Sequence, residues 1–211
     1  MRGQAETVSV VILVSIALII ALGLIYYFSP LLAKSSRSYR LASLLSTYAA
    51  SLQVVELSQI NSSIGVTEVL ELNNLGTHSL RIYVGVLAFL NSSDIPVDVG
   101  GQYYNVYRLA NGSAPLIYGN TSGWRLLPRI NVAPGHAWVY VQIQDKYFRL
   151  SELGWNSSLV LYDVGPLNSS SPIALKIDVN VTQPAFTYFV SFFARVGNQY
   201  YEVSRIVVYQ S

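Results

Sequence analysis

The feature that most constrains this chain is an uncharged apolar segment near its amino terminus. Residues 7–33 contain no Asp, Glu, Lys or Arg, and as a helix they would extend roughly 40 Å at about 1.5 Å per residue. A bilayer core requires only about 20 apolar residues. Val, Ile, Leu and Phe fill 14 of the positions 8–28, which favours insertion by about 4–8 kcal/mol. The segment therefore predicts a membrane-spanning helix, with the aromatic residues 26–28 at one interface.

A cleaved secretory signal is the alternative interpretation of this segment. Its apolar region would be roughly 7–15 residues long and would follow a basic stretch, whereas here the apolar run is longer and Glu6 precedes it. Basic residues follow the segment at positions 34, 37 and 40, while only Arg2 and the amino terminus precede it. By the positive-inside rule this asymmetry indicates that the carboxy-terminal part lies inside the cell. The Asn-x-Ser/Thr glycosylation sites described below favour the opposite, an extracytoplasmic location.

An amphipathic helical pattern continues beyond Pro30. Its apolar residues recur at spacings of 3, 4 and 7, which is typical of a helix with one packed face. They are Leu41, Leu44, Leu45, Tyr48, Leu52 and Val55. The pattern predicts one long helix over residues 4–57 with an irregularity near Pro30. A membrane anchor followed by a short separate helix is the alternative.

The rest of the chain has the pattern of short strands. Apolar and polar residues alternate over 173–182 and 137–144, as in half-buried strands, and residues 80–90 are apolar on both faces. Turn residues separate these from further predicted strands at 65–73, 102–109, 158–164, 188–196 and 200–209. This spacing predicts an antiparallel β-sandwich of Ig-like type over residues 61–211, and hence an α+β fold class.

Low charge and frequent sequons together predict an extracytoplasmic domain. Charged residues are 11% of the chain, against roughly 25% in an ordinary soluble domain. A surface this poor in charge is usually covered by lipid, by partner subunits or by sugar. Chance predicts roughly two Asn-x-Ser/Thr sites in such a sequence. The sequence has them at Asn61, Asn91, Asn111, Asn120, Asn156, Asn168 and Asn180. We expect N-linked glycans at these positions; unmodified polar loops are the alternative.

Catalytic and nucleic-acid-binding functions have little support. The absence of Cys excludes disulfides, thiol catalysis and Cys-rich metal sites. His78 and His136 have no metal-ligand spacing, and a net charge of +2 is too small for a nucleic-acid-binding face. We therefore expect no enzyme activity, no catalytic residues, no metal and no cofactor. The aromatic residues, including Trp138, favour core and subunit packing, with a sugar-binding or surface-binding patch as the alternative.

The amino terminus, Met1-Arg2-Gly3-Gln4-Ala5-Glu6-Thr7-Val8, followed directly by the apolar helix, resembles the leader of archaeal type IV pilins. The close match covers about 30 residues, and the layout of a long helix before a glycosylated β-domain resembles that family over the whole chain. The resemblance implies that a leader peptidase cuts between Gly3 and Gln4, so that residues 1–3 are a leader peptide. It also implies a single-pass membrane precursor, a pilus assembly machinery and a homo-oligomeric filament. Glu6 would be the third mature residue, whereas many type IV pilins have Glu at the fifth; the related archaellins usually lack this early Glu.

The physics of the helix predicts how such copies would associate. An all-apolar helix is stable in lipid or within a helical bundle, and small residues such as Ala17, Ala21 and Gly23 allow close approach. Glu6 would pair with a neighbouring subunit's amino terminus or, alternatively, be a solvated residue at the helix N-terminus. We therefore expect the major subunit of an extracellular adhesive pilus. The alternatives are a membrane-anchored cell-surface binding module or minor pilin, and an archaellum filament subunit.

Overall fold

A computed structural model describes residues 2–90, 95–99, 103–110, 123–133, 138–180 and 185–209, without the side chains of residues 2–12 and 209. One helix, α1, covers Arg2–Ser51 and includes Pro30. At about 1.5 Å per residue it is roughly 75 Å long. The chain divides into two compact units, Met1–Leu44 and Leu45–Ser211. A long apolar helix is therefore followed by a domain rich in β-sheet, as the sequence predicts at the level of fold class.

The second unit contains most of the regular structure outside α1. In chain order its strands are β1 (Leu52–Ser62), β2 (Gly65–Asn74), β3 (Leu80–Leu90), β4 (Pro96–Val97), β5 (Tyr104–Leu109), β6 (Trp124–Leu126), β7 (Arg129–Val132), β8 (Trp138–Ile143), β9 (Lys146–Arg149), β10 (Leu159–Leu167), β11 (Ile173–Asn180), β12 (Phe186–Val196) and β13 (Gln199–Tyr209). A 3₁₀ helix, Leu150–Leu153, follows β9. Each strand predicted from the sequence corresponds, within the described residues, to one of these strands.

The end of the helix differs from the prediction. The amphipathic pattern predicts helix to residue 57, but α1 ends at Ser51 and β1 begins at Leu52. The physical reason is pairing, because β1 is antiparallel to β2 from Leu52 opposite Asn74 to Ser62 opposite Gly65. This ladder pairs ten of the 11 residues of β1, with a bulge at Leu57, and such tertiary contacts override a weak local helical pattern. The β-domain consequently begins before the predicted residue 61.

The strands form two sheets, and one of them is mixed. The five-stranded sheet has the order β1-β2-β11-β5-β6, and the eight-stranded sheet has the order β7-β10-β3-β12-β13-β8-β9 with β4 beside β3. All described pairings are antiparallel except that of β13 with β8, which is parallel. The prediction of a purely antiparallel domain is therefore wrong at this position. Two parallel strands need a long connection, and here β9 to β12 provide it.

Strand β3 lies at the centre of the core and is covered on both faces. Its residues from Ile82 to Phe89 are all buried. Tyr83, Leu87 and Phe89 belong to one apolar cluster together with residues of β7, β8, β10, β12 and β13. The alternate residues point to the other face of the strand. A strand with this double burial explains why residues 80–90 are apolar without alternation.

Hydrogen bonds of buried tyrosines connect the two sheets. The ladder between β10 and β3 extends only as far as Tyr162 opposite Val84. Beyond it, the hydroxyl of Tyr103 donates to Val86 O at 2.6 Å, and the hydroxyl of Tyr104 donates to Val160 O. Burial raises the pKa of both phenols, so they remain neutral donors. Side chains at the start of β5 thus donate to backbone carbonyl groups of β3 and β10 in the neighbouring sheet.

Candidate assembly and glycosylation sites

The surface of α1 is apolar and exposed. Every residue from 13 to 40 is exposed, and the large side chains between Leu13 and Leu32 have exposed fractions between 48% and 86%. Among the described residues, this is the helix long and apolar enough to cross a membrane, with a mean hydropathy of 2.2 in its most apolar window. A helix with an apolar surface of this kind suits a bilayer or the interior of a helical bundle.

The small residues predicted to allow close packing lie on two sides of α1. Ala17 and Ala21 are four positions apart and therefore share one face. Gly23 is roughly 160° away from Ala21 at about 100° per residue. Apart from its chain neighbours and the adjacent helix backbone, no described atom lies within 4 Å of the position that a Cβ would take there. The structure does not bring the three residues into one stripe. Another helix could instead approach closely at Ala17 and Ala21 on one side or at Gly23 on the other.

The residues at the predicted leader site are part of the same helix. Gly3, Gln4 and Glu6 have helical backbone conformation in α1. Their side chains lie outside the described part of the chain. The pairing of Glu6 with a neighbouring copy therefore stays a prediction.

Four of the predicted glycosylation sites fall in the described residues, and all four asparagines are exposed. Asn61 lies near the end of β1, Asn180 is the last residue of β11, and Asn156 and Asn168 lie outside the strands. Asn91, Asn111 and Asn120 lie outside the described residues. Each described site is thus open to a bulky modification, as glycosylation requires.

The two loop sites differ in their local hydrogen bonds. The Asp98 carboxylate accepts from the backbone N–H of Asn156 at 3.0 Å and from that of Ser157 at 2.6 Å. It also accepts from the Ser157 hydroxyl at 2.6 Å. Asn168, by contrast, begins a surface turn in which Ser171 N–H donates to Asn168 O at 3.3 Å. The Asn156 sequon is therefore held by a side chain distant in sequence, whereas the hydrogen bond described for the Asn168 sequon is a local one.

A buried ion pair that the sequence does not reveal lies in β13. Glu202 is 1% exposed, and its carboxylate is 2.6 Å from Arg205 Nη2. Ser191 Oγ donates to Glu202 Oε1 at 2.7 Å, and Gln142 N–H donates to Oε2 at 2.9 Å. The arrangement satisfies the charge that burial would otherwise penalise. The sequence spacing does not indicate this arrangement, because one of the partners of Glu202 is the backbone of Gln142 in β8, about sixty positions away.

A second buried carboxyl has no such partners. Glu68 lies on the inward face of β2 with an exposed fraction of 0%, and neither of its carboxyl oxygens has a hydrogen-bond partner in the described structure. Burial, together with the charge of Glu56, raises the pKa of Glu68 from 4.5 to about 8. This carboxyl therefore favours its neutral form in the folded chain.

His78 lies in the bend between β2 and β3. Nδ1 of His78 lies 3.1 Å from the Thr77 hydroxyl, and His136 lies outside the described residues. No group of three or more His, Cys, Asp or Glu side chains in the described ranges could hold a metal ion.

Comparison with known proteins does not assign the chain to a family. No family model matches it, and no curated protein matches it. Among the solved structures that match is AvmM, described as catalysing macrocyclization in alchivemycin A biosynthesis. The identity is 7% over 76% of this chain and 89% of that chain, with a TM-score of 0.38. A likeness at this level carries no argument about fold or activity.

Proposed function

We propose that this chain is the major subunit of an extracellular archaeal type IV pilus that serves surface adhesion. The observation that carries the proposal is the exposure of residues 13–40 on α1. Burying one large apolar side chain completely is worth about 1.5–3 kcal/mol, and 14 such residues between Leu13 and Leu32 are exposed. A helix of this kind is stable in lipid or among other copies of itself, and a pilus uses both surroundings in succession.

The assembly mechanism is an exchange of lipid for protein around α1. The precursor is held in the membrane by the helix, and a leader peptidase cuts between Gly3 and Gln4. Because a helix satisfies its backbone hydrogen bonds internally, transfer from lipid into a filament core breaks none of them. Small residues on two sides of the helix support contact with neighbours on more than one side. Glu6 then pairs with the amino terminus of an adjacent subunit.

The β-domain forms the outer shell of this filament. We infer that its two sheets form a sandwich of Ig-like type, which the hydrogen bonds of the buried tyrosines support. N-linked glycans cover the shell, and the exposure of all four described acceptor asparagines supports this. The glycans compensate for a charged fraction of only 11%. The function requires no cofactor and no nucleic acid.

Electron microscopy of surface filaments tests the proposal. We expect negative-stain images to show filaments whose peptides match this chain and whose first residue is Gln4. Deletion of residues 1–30 should give a soluble domain that does not polymerise. Filaments formed by the deleted chain would refute the assembly role of α1. Monodisperse particles in detergent, with no filaments from the full chain, would instead support a membrane-anchored binding module or minor pilin, and loss of swimming on deletion of the gene would support an archaellum subunit.

A further inference from the structure

A cavity of about 330 Å³ opens where β13 separates from the β8–β9 hairpin. β8 and β13 pair in parallel over only three positions, from Gln199 opposite Trp138 to Tyr201 opposite Tyr140. The cavity lies beyond this short ladder. The side chains that matter for its chemistry belong to Gln142, Gln144, Asp145, Glu202, Ser204 and Arg205. The cavity is thus formed by two strands that diverge within one sheet.

The divergence is maintained by side chains that replace the missing ladder bonds. The backbone N–H of Gln142 donates to Glu202 Oε2 at 2.9 Å, and Arg205 Nη2 donates to Gln142 O. The same guanidinium lies 5.0 Å from the ring centroid of Phe89. Because Glu202 and Arg205 also bond to each other, the wall of the cavity is held by charge-assisted hydrogen bonds. Its shape is therefore organised before any ligand arrives.

The turn that borders the cavity is conformationally unfavourable. Ile143 pairs with Lys146, and the two residues between them, Gln144 and Asp145, have φ values of 46° and 65°. A two-residue hairpin with positive φ at both positions favours Asn-Gly or Gly-Gly, and side chains larger than Asn or Asp rarely adopt this conformation. Both side chains nevertheless line the cavity. Strain of this kind tends to persist where the side chains have a function.

The polar groups of the lining are available to a ligand. The side chains of Gln142, Gln144, Asp145 and Ser204 have no hydrogen-bond partner within the described ranges. Two amides, one hydroxyl and one carboxylate provide both donors and acceptors at close range. The charges of Glu202 and Arg205 cancel, so Asp145 leaves the lining with a net negative charge. This set of groups suits a neutral molecule rich in hydroxyl groups and disfavours an anion.

Aromatic side chains continue from the cavity along the same strands. The rings of Tyr140 and Tyr201 are stacked with centroids 4.6 Å apart, and Tyr147 meets Tyr201 edge-on at 5.6 Å. The Tyr147 hydroxyl donates to Glu202 O at 2.9 Å, which places this ring next to the cavity wall. Trp138 is 40% exposed, and the Arg149 guanidinium lies 3.7 Å from its ring centroid. These rings do not line the cavity; they hold its wall in place, and the polar side chains of the lining are the groups that meet a ligand.

We propose that this cavity is a carbohydrate-binding site for one neutral sugar ring. A volume near the lower end of ligand pockets, roughly 300–1,000 Å³, suits a single ring rather than a long chain. The amides of Gln142 and Gln144, the hydroxyl of Ser204 and the carboxylate of Asp145 bind the sugar hydroxyls. The site lies wholly within the β-domain and does not require filament assembly. It therefore goes beyond the proposed filament function and applies equally to a membrane-anchored monomer.

Saturation-transfer NMR on the full chain in detergent micelles tests the site. The probes are methyl glycosides of glucose, galactose, mannose and N-acetylglucosamine, with methyl glucuronide as the anionic comparison. We expect saturation transfer to at least one neutral glycoside and at least tenfold weaker transfer to the glucuronide. No transfer to any neutral glycoside, or equal transfer to the glucuronide, would overturn the proposal.

Two variants locate the binding within the molecule. Gln144→Gly removes one amide and gives the turn a residue that favours positive φ, so we expect at least tenfold weaker sugar binding with no loss of thermal stability. Ser204→Leu should fill part of the cavity and also weaken sugar binding at least tenfold. Gln53→Ala, at an exposed position of β1, is the control and should bind as the parent does. Binding that is unchanged in Gln144→Gly would place the sugar elsewhere. Filaments imaged from the same samples report on the proposed function separately, so either proposal can fail alone.

Discussion

Substitution of Glu68 provides a direct test of how burial acts on this domain. Glu68 lies opposite Gln59 of β1 and Ile177 of β11, and its carboxyl has no hydrogen-bond partner among the described residues. Because burial disfavours the charged form, the pKa is raised from 4.5 to about 8. The folded chain therefore holds a proton at neutral pH that the unfolded chain releases, and this lowers the free energy of unfolding.

The size of the effect follows from the shift and its sign. Below about pH 4.5 both states are protonated, so Glu68 costs nothing there. As the pH rises towards about 8 the free energy of unfolding falls by about 1.4 kcal/mol per unit, which gives roughly 3.4 kcal/mol at pH 7. Relaxation and water penetration around a buried charge make the effective penalty smaller than this, so we take about 2 kcal/mol. Above about pH 8 the loss is complete.

Glu68→Gln should remove this penalty, because a neutral amide of nearly the same shape replaces the carboxylate. At pH 7 we expect thermal unfolding to occur about 4–8 °C higher, at about 2–4 °C per kcal/mol for a domain of this size. At pH 4 the variant and the parent should unfold within about 1 °C of each other. Glu71→Gln on the same strand, where Asn73 Nδ2 donates to Glu71 Oε1 at 2.9 Å, controls for the loss of a negative charge. An equal gain at both pH values, or no gain at pH 7, would refute the reasoning.

Further predictions concern the helix, the sheet contact and the glycans. Ile19→Lys places a charge in the middle of the apolar segment at a cost of about 3–4 kcal/mol, so membrane fractionation and microscopy should show loss of both anchoring and filaments; normal filaments would contradict this. Tyr103→Phe leaves Val86 O without its buried donor and should lower the free energy of unfolding in urea by about 1–3 kcal/mol; an unchanged midpoint would show that the carbonyl finds another partner. Asn168→Gln should reduce the intact mass of native protein by one glycan, whereas Asn198→Gln, outside any sequon, should not. A parent mass equal to that of the bare chain would remove the glycan hypothesis altogether.

The candidate assembly and glycosylation sites could largely be found from the sequence, because they depend on local patterns. The uncharged apolar run over residues 7–33 specifies a helix whose exposure to water is unfavourable. Sequons are defined by three adjacent residues, and the exposure of Asn168 is typical of a turn. The carbohydrate cavity could not be found in this way. Gln144 and Arg205 are about sixty positions apart, and their proximity depends on strand order.

The sequence by itself therefore determined the apolar helix and the general positions of most strands, since hydrophobic periodicity acts within a few residues. Only the tertiary structure decided where α1 ends, because the helical pattern through Leu52 and Val55 yields to a ladder with β2. It also decided that β13 lies parallel to β8, and that Glu202 is buried with partners while Glu68 is buried without them. In each case the stabilising contacts are strand pairing or burial against residues distant in the chain. A local sequence pattern does not identify those residues.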